Sequence, residues 1–346
     1  MSSLSFTTST IKTIQYGLKK SARFVSGVFF AVILYGCAST PQTRHLLSQP
    51  PLDIPQQYEL SETPFFPQEE YQCGPAALAT VLAQQKVSVT PEQLLDKVYI
   101  PGRQGSLQIE MIATARSYGL LTYQLDGNLS SLLKEVAAGR TVLIFQNLGL
   151  QWIPRWHYAV VVGYDLNAQQ LILRSGTEKR HLVSFSTFEQ TWARAQYWAY
   201  LLLQPGQIPL TANSLNYTRA ANNLMKAGFE HAAITSFQSA ARFWSQQALP
   251  HMALGNAEYG VADYAAAEQA FRNAIEVEPD NAQAWNNLAY TYVARNCRIA
   301  AIKAIGCAVR LSPDDSNLSA SMTEIVGKRT TPAGQCAVPR CPRYHY

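Results

Sequence analysis

The spacing of apolar residues divides the chain into two regions of different character. Between residues 58 and 206, helical periodicity gives way to short runs of apolar and β-branched residues, a pattern typical of an α+β domain. Between residues 207 and 325 the helical period continues and alanine is frequent, which predicts an all-α region. Residues 38–57 are rich in Ser, Thr, Pro and Gln with little periodicity, and we predict a flexible tether there.

Helices are predicted in the first half of the α+β domain. One begins at Cys73, because Pro75 suits a first helical turn and the apolar residues that follow fall on one face. A second begins after Thr90, which is placed to cap it. Two more are expected near residues 107–117 and over 129–138.

Strands are predicted in the second half of the same domain. The runs 141–145 and 157–164 are short and apolar, and a turn pairs the second of them with 170–174 as a hairpin. Residues 186–189 have the capping-box pattern that opens a helix. The last strand is expected over 197–203.

A repeat of 34 residues runs through the all-α region. Pro279 and Pro313 are separated by this spacing, as are Phe271 and Ile305. The period and the residue types resemble tetratricopeptide repeats, which are helical hairpins that stack into a solenoid. We therefore predict three such repeats over 207–325 with a protein partner on their surface, followed by a cysteine-containing tail over 326–346.

The first 37 residues have the organisation of a bacterial export signal. A basic stretch precedes the apolar run from Phe24 to Tyr35, which is too short for a comfortable membrane span. The run ends in Leu34-Tyr35-Gly36-Cys37, which resembles a lipobox. The resemblance implies that Cys37 is acylated and anchors an outer-membrane lipoprotein facing the periplasm; a plain secretory signal or a short anchor is the alternative.

Charge and cysteine content narrow the range of functions. The net charge is +5 and no basic run lies beyond the N-terminus, so we do not expect a nucleic-acid partner. Four of the six cysteines remain once Cys37 and Cys73 are assigned to lipid and to chemistry, and an exported protein permits disulfides among them. Three pairings are possible. We expect the tail to be attached to the last repeat, with a small loop closed by Cys336 and Cys341 as the alternative. The spacings fit no common zinc pattern, so neither a metal nor another cofactor is expected. The four cysteines are Cys297, Cys307, Cys336 and Cys341.

Cys73 is the candidate for chemistry. A cysteine at a helix N-terminus lies near free backbone N–H groups and the positive end of the helix dipole, which favour a thiolate. Gly74 would let a substrate approach the backbone closely. A buried structural cysteine is the alternative. His157 is the best placed candidate for its base, because this histidine opens the most strand-like run in the chain.

Two motifs carry a resemblance: Gln68-(x4)-Cys73-Gly74-Pro75-Ala76-Ala77-Leu78 and His157-Tyr158-Ala159-Val160-Val161-Val162-Gly163-Tyr164-Asp165. Together they resemble the bacteriocin-processing, or double-glycine, cysteine peptidase family. The resemblance covers roughly residues 60–203 and implies a papain-like fold with Cys73 as the nucleophile and His157 as its base. It also implies a glutamine as an oxyanion-hole donor, for which Gln68 is the best match and Gln72 the alternative. The expected fold class is therefore an α+β papain-like cysteine peptidase domain over 58–206 followed by an all-α tetratricopeptide-repeat solenoid.

The chain departs from the family's pattern at one position. The family places an Asp or Asn after the next strand to orient the histidine, and here Ser175 stands in that place. A serine hydroxyl accepts a hydrogen bond from the Nδ1–H of His157 but carries no charge to stabilise an imidazolium. The loop before His157 contains Trp152 and Trp156, which we interpret as a cleft wall for an extended peptide or, equally, as packed aromatic residues.

These predictions favour a lipid-anchored cysteine peptidase that hydrolyses a peptide bond in a periplasmic protein or peptide. Its repeats would recruit a partner or present the substrate. The alternative is a lipoprotein whose peptidase-like domain binds peptides as a scaffold without cutting them, which Ser175 supports. An acyl transferase that uses the same cysteine is a third option.

Overall fold

The structure is a computed structural model that describes residues 40–67, 72–103, 105–328 and 336–342. The predictions for Cys37 and Gln68 lie outside the described residues. Up to residue 206 the described helices are α1 (Pro41–Ser48), α2 (Cys73–Gln84), α3 (Pro91–Val98), α4 (Gln108–Ser117), α5 (Leu129–Ala137) and α6 (Phe185–Ala193). The strands are β1 (Gln57–Glu59), β2 (Tyr99–Ile100), β3 (Gly105–Ser106), β4 (Leu121–Gln124), β5 (Val142–Asn147), β6 (Trp156–Asp165), β7 (Gln170–Ser175), β8 (Glu178–Ser184) and β9 (Ala199–Leu203).

One antiparallel sheet organises this part of the chain. Its strand order is β4-β9-β5-β6-β7-β8, and β1 pairs with the end of β6 from Gly163 to Asp165. The central strand β6 is buried from Tyr158 to Tyr164, which explains why its sequence is a continuous apolar run without alternation. The predicted hairpin is confirmed, because β6 pairs with β7.

Helices cover both faces of the sheet. One face packs against α2, α3 and α4 through Leu78, Leu94 and Met111. The other face packs against α5 and α6. Tyr217 and Phe237 of the first helical repeat belong to this second cluster, so the sheet and the first repeat share one hydrophobic core.

The tether prediction is wrong for most of residues 38–57. Residues 41–48 form α1, and Leu46 and Ile54 are buried in the core of the α+β domain. The buried carboxylate of Glu189 accepts hydrogen bonds from the backbone N–H groups of Gln42 at 3.0 Å and Thr43 at 2.7 Å. The segment is polar in composition, but two of its apolar side chains are buried and fix it to the domain. The free N–H groups at the start of α1 are satisfied by a carboxylate that is distant in sequence.

The predicted helix starts and strands agree with the structure only in part. Thr90 caps α3 as expected, with Gln93 completing a capping box. The capping box predicted at Ser186 is wrong, because β8 continues to Ser184 and its Oγ accepts from the Thr187 N–H at 3.2 Å. Strands β1, β4 and β8 were not predicted.

Helical hairpins fill the chain from residue 214 to residue 311. They are α7 (Ser214–Lys226) with α8 (Glu230–Phe243), α9 (Ala248–Gly260) with α10 (Tyr264–Val277), and α11 (Ala282–Ala294) with α12 (Arg298–Leu311), followed by α13 (Ser316–Gly327). In the second hairpin the helices approach closely at Gly255, where an added Cβ would lie 2.6 Å from the Phe271 ring. The small residues of the repeat therefore permit the packing of large aromatic ones.

The described part of the tail is attached to α12 by two disulfides. They join Cys297 to Cys336 and Cys307 to Cys341, with Cα–Cα distances of 5.8 and 5.9 Å. Ten helical residues rise ~15 Å, and five extended residues span ~16 Å, so the tail runs along the helix in an extended conformation. Its Ala337 carbonyl accepts hydrogen bonds from Arg272 and from the Tyr292 hydroxyl, both at 2.7 Å.

The described residues contain neither a candidate membrane span nor a cluster of metal-ligating side chains. None of their helices combines the length and the apolar character that a membrane crossing requires. They also contain no group of three or more His, Cys, Asp or Glu side chains arranged to hold a metal ion.

Candidate active site

Cys73 is the first residue of α2, as the sequence predicted. The first backbone hydrogen bond of the helix runs from the Ala76 N–H to the Gln72 carbonyl, so the N–H groups of Cys73 and Gly74 have no partner within the helix. Pro75 has no N–H to contribute. The half-buried Cys73 side chain also lies close to the backbone of Tyr158, near the start of β6. Cys73 is the only free cysteine among the described residues.

The backbone N–H groups at the start of α2 favour a Cys73 thiolate, as the sequence predicted, but burial has the larger effect. Burial raises the pKa of the Cys73 thiol, and this outweighs the backbone N–H groups of Tyr158 and Gly74, which lower it. Burial also lowers the pKa of His157 to about 4, with smaller contributions from His181 and Arg155. At neutral pH the site therefore holds a neutral thiol and a neutral imidazole.

His157 and Ser175 are brought together at the start of β6 and the end of β7. The His157 Nε2 and the Ser175 Oγ are 2.8 Å apart. The sequence predicted the partner correctly but assigned the wrong ring nitrogen, since the serine faces Nε2 and not Nδ1. This bond leaves Nδ1 as the nitrogen available to Cys73. No hydrogen bond joins the Cys73 sulfur to the His157 ring in the described part of the chain, although such contacts are often loose before substrate binds.

Comparison with known proteins identifies the domain. Residues 56–200 match the model of the Peptidase_C39-like family, and residues 270–302 match a tetratricopeptide-repeat model. The chain carries a C39-like peptidase domain followed by tetratricopeptide repeats. The repeat match begins in α10 and ends in α12, in agreement with the hairpins of the structure. No curated protein matches the chain significantly.

Several solved structures resemble parts of the chain. A Bacillus anthracis protein described as a putative C39-like peptidase is 19% identical with a TM-score of 0.37, covering 43% of this chain and 98% of that chain. The second TPR domain of the human RPAP3 protein, in complex with an HSP70 peptide, is 16% identical with a TM-score of 0.32, covering 33% and 96%. MamA is 21% identical with a TM-score of 0.31, covering 33% and 66%.

Gly74 has a different role in the C39-like domain from the one predicted. It is buried, and an added Cβ would overlap the Ser106 hydroxyl and lie 2.6 Å from Ser106 Cβ and 3.3 Å from the Met111 sulfur. The glycine therefore allows α2 to pack against β3 and α4, and this packing fixes the position of the neighbouring Cys73. It faces the interior and not a substrate.

The loop from Leu148 to Arg155 is ordered by polar groups that the sequence did not single out. The buried Asn147 accepts through Oδ1 from the N–H groups of Gly149 at 3.0 Å and Arg155 at 2.9 Å. The Arg194 guanidinium donates to the Gly149 carbonyl at 3.0 Å. An asparagine at the end of an apolar strand was the available signal for this network.

The tryptophans of this segment fit a cleft wall better than a packed core. Trp152 is 76% exposed and Trp156 is 52% exposed. Trp156 stacks on Phe145, with ring centroids 5.1 Å apart and an interplanar angle of 12°. Leu150 and Ile153 are also exposed, so an apolar surface borders the strand that begins next to His157.

Arg174 is a second residue that sequence analysis missed. Although it is almost completely buried, its guanidinium donates to the carbonyls of Lys179 at 2.6 Å and Ser61 at 3.0 Å. It precedes Ser175 directly and ties the end of β7 to the segment at residue 61. The sequence pattern predicted the hairpin but gave no sign of this buried charge, whose partners are backbone carbonyls and the Glu59 carboxylate at 4.0 Å.

Proposed function

We propose that this protein is a membrane-anchored cysteine peptidase whose repeats recruit a partner or the substrate. The observation that carries the proposal is the arrangement of three groups in a C39-like domain. Cys73 opens a helix beside the backbone of residue 158, and the neighbouring His157 is bonded through Nε2 to Ser175. A nucleophile, a base and a residue that orients the base are the minimum set for acyl transfer through a thioester.

In this mechanism the proton moves as the sulfur attacks. Because thiol and imidazole are both neutral at rest, Nδ1 of His157 takes the Cys73 proton while the new C–S bond forms. The free N–H of Cys73, with Gln68 as predicted from the family resemblance, would stabilise the oxyanion. His157 then gives the proton to the leaving amine, and water activated by His157 hydrolyses the thioester.

The loop surface suggests the class of peptide. Trp152, Ile153 and Leu150 present exposed apolar side chains near the site, and the Asn147 network holds their backbone in place. Apolar groups in such a loop would contact hydrophobic side chains that flank the scissile bond. We therefore propose a substrate with aromatic or aliphatic residues next to the cleavage position.

The first residues and the disulfides support a proposal for the location of the protein. We propose anchoring through acylated Cys37 in the outer membrane, facing the periplasm. The pairing of Cys297 with Cys336 and of Cys307 with Cys341 supports an oxidising compartment, where such disulfides persist.

A peptide-binding scaffold without activity is the second candidate. It is favoured by one observation, the uncharged Ser175 at the position that orients His157. Hydrolysis of internally quenched peptides with aromatic or aliphatic residues at the central positions separates the two candidates. A peptidase cleaves some of them, loses this activity in Cys73→Ala and prefers apolar sequences less in Trp152→Ala. Equal residual cleavage by wild type and Cys73→Ala would leave only the scaffold.

A further inference from the structure

A groove lies between one face of α12 and the disulfide-bonded tail. It has a volume of about 730 Å³. From α12 it is lined by residues that recur along one helical face: Ile299, Lys303, Gly306 and Arg310. The tail contributes Val338, Pro339 and Arg340, and Trp285 of α11 also lines it. The groove therefore combines residues from two distant parts of the sequence.

The charged side chains that line this groove are all positive. Its charged lining residues are Lys303, Arg310 and Arg340, all of them exposed cations. None of the three takes part in an ion pair with another described residue. The sequence reinforces this bias, because no Asp or Glu occurs between residues 295 and 312 or after Glu324. The cations are therefore available to a negatively charged partner.

The apolar surface of the groove distinguishes its partner from a simple anion. Ile299 is 68% exposed at one end, and Val338 and Pro339 form the wall on the side of the tail. From residue 299 to residue 310 the helix rises ~16 Å, which matches about five residues of extended peptide. Such a groove fits a short chain segment that alternates carboxylates with apolar side chains.

We propose that this groove binds an acidic, extended peptide segment of a partner protein. The inference rests on the proposed recruiting role of the repeats and names the surface and the chemistry of the partner. It is independent of the peptidase chemistry, since none of the groove's residues lies within residues 56–200. Because one wall is the tail, the two disulfides keep the groove assembled.

Fluorescence anisotropy with the full chain in detergent tests the proposal. The probe is a fluorescein-labelled peptide in which glutamates flank a Leu-Phe pair, and the control probe carries lysines instead. We expect saturable binding of the acidic peptide only, which weakens as rising ionic strength shortens the screening length from ~30 to ~8 Å. The double variant Lys303→Glu/Arg310→Glu should bind roughly tenfold more weakly. Lys226→Glu, which alters an exposed cation at the end of α7, should bind like the wild type.

The tail is tested separately. Cys336→Ser/Cys341→Ser, with folding checked by circular dichroism, should also lose about tenfold in affinity, because the wall is no longer attached. Unchanged binding by Lys303→Glu/Arg310→Glu would overturn the proposal. The proposal would also be overturned if the wild-type protein bound phosphatidylglycerol vesicles but not the acidic peptide, because the groove would then contact a lipid surface. Labelling of Cys73 by an electrophile is measured on the same samples, so that failure of the peptidase proposal is recognised independently.

Discussion

The substitution Ser175→Asp should convert the neutral site into one that supports an ion pair. The Ser175 Oγ lies 2.8 Å from the His157 Nε2, so a carboxylate at this position would face the imidazole directly. Burial currently lowers the pKa of His157 to about 4. An opposite charge within a few ångströms raises a histidine pKa by ~1–3. The imidazolium, and with it the Cys73 thiolate, should then be populated closer to neutral pH.

Removing the Ser175 hydroxyl should weaken the orientation of His157 and so reduce activity by a small factor. A neutral hydrogen bond contributes ~0.5–1.5 kcal/mol, so Ser175→Ala should lower kcat/KM by about 2- to 10-fold. Ser175→Asn preserves a hydrogen-bonding group without charge and serves as the matched control. It should remain near the wild type.

The assay is the pH dependence of Cys73 alkylation by iodoacetamide, combined with a ¹H NMR titration of the His157 ring. In Ser175→Asp the histidine titration should move to higher pH and alkylation near pH 6 should become faster. A His157 titration at the same pH in wild type and Ser175→Asp would refute the reasoning, because the residue at 175 would then not govern the ring.

Three further predictions follow from packing and burial. Gly74→Ala should lower the free energy of unfolding by ~1–3 kcal/mol in urea titrations and slow Cys73 alkylation, since its Cβ overlaps Ser106; equal stability would contradict the close packing. Glu189→Ala should increase hydrogen exchange at Gln42 and Thr43 by removing their buried acceptor, whereas Glu230→Ala, at an exposed helix start, should not. The His157 pKa of about 4 in the folded state lies below its ordinary value of 6.5, so the unfolded chain binds the proton first as the pH falls through this window. The free energy of unfolding should therefore decrease by about 3 kcal/mol between pH 6.5 and 4 at ~1.4 kcal/mol for each pKa unit, and His157→Gln should lack this component.

The elements that contain the site could be predicted because their signals are local. The helix beginning at Cys73 follows from Pro75 and an apolar face, and β6 follows from a run of valines that only a buried strand explains. The repeats were visible because their period of 34 residues is regular.

The elements that were missed depend on distant partners. Strand β8 contains Glu178, Lys179 and Arg180 and has the composition of a loop, and its pairing with β7 makes it a strand. Helix α1 is held by Glu189, far along the chain. Neither partner is detectable from local composition.

Within the site, residue identities were more predictable than protonation states. The sequence indicated Cys73, His157 and Ser175, but the neutral thiol results from burial, which is a property of the packed domain. The choice of Nε2 for Ser175 likewise depends on how β6 and β7 are aligned. Asn147 was missed because its partners are backbone groups of the loop that follows it. Arg174 was missed because the folded sheet brings its partners to it, the carbonyls of Lys179 in β8 and of Ser61.

The central claim, that Cys73 is a nucleophile activated by His157, is tested most directly by one rate. It is the second-order rate constant for labelling of the full chain by a peptidyl epoxide with an apolar side chain, followed by intact-mass spectrometry. The account predicts a single adduct on Cys73, absent in Cys73→Ala and formed at least ~100-fold more slowly in His157→Ala. Labelling of His157→Ala at the wild-type rate would contradict it.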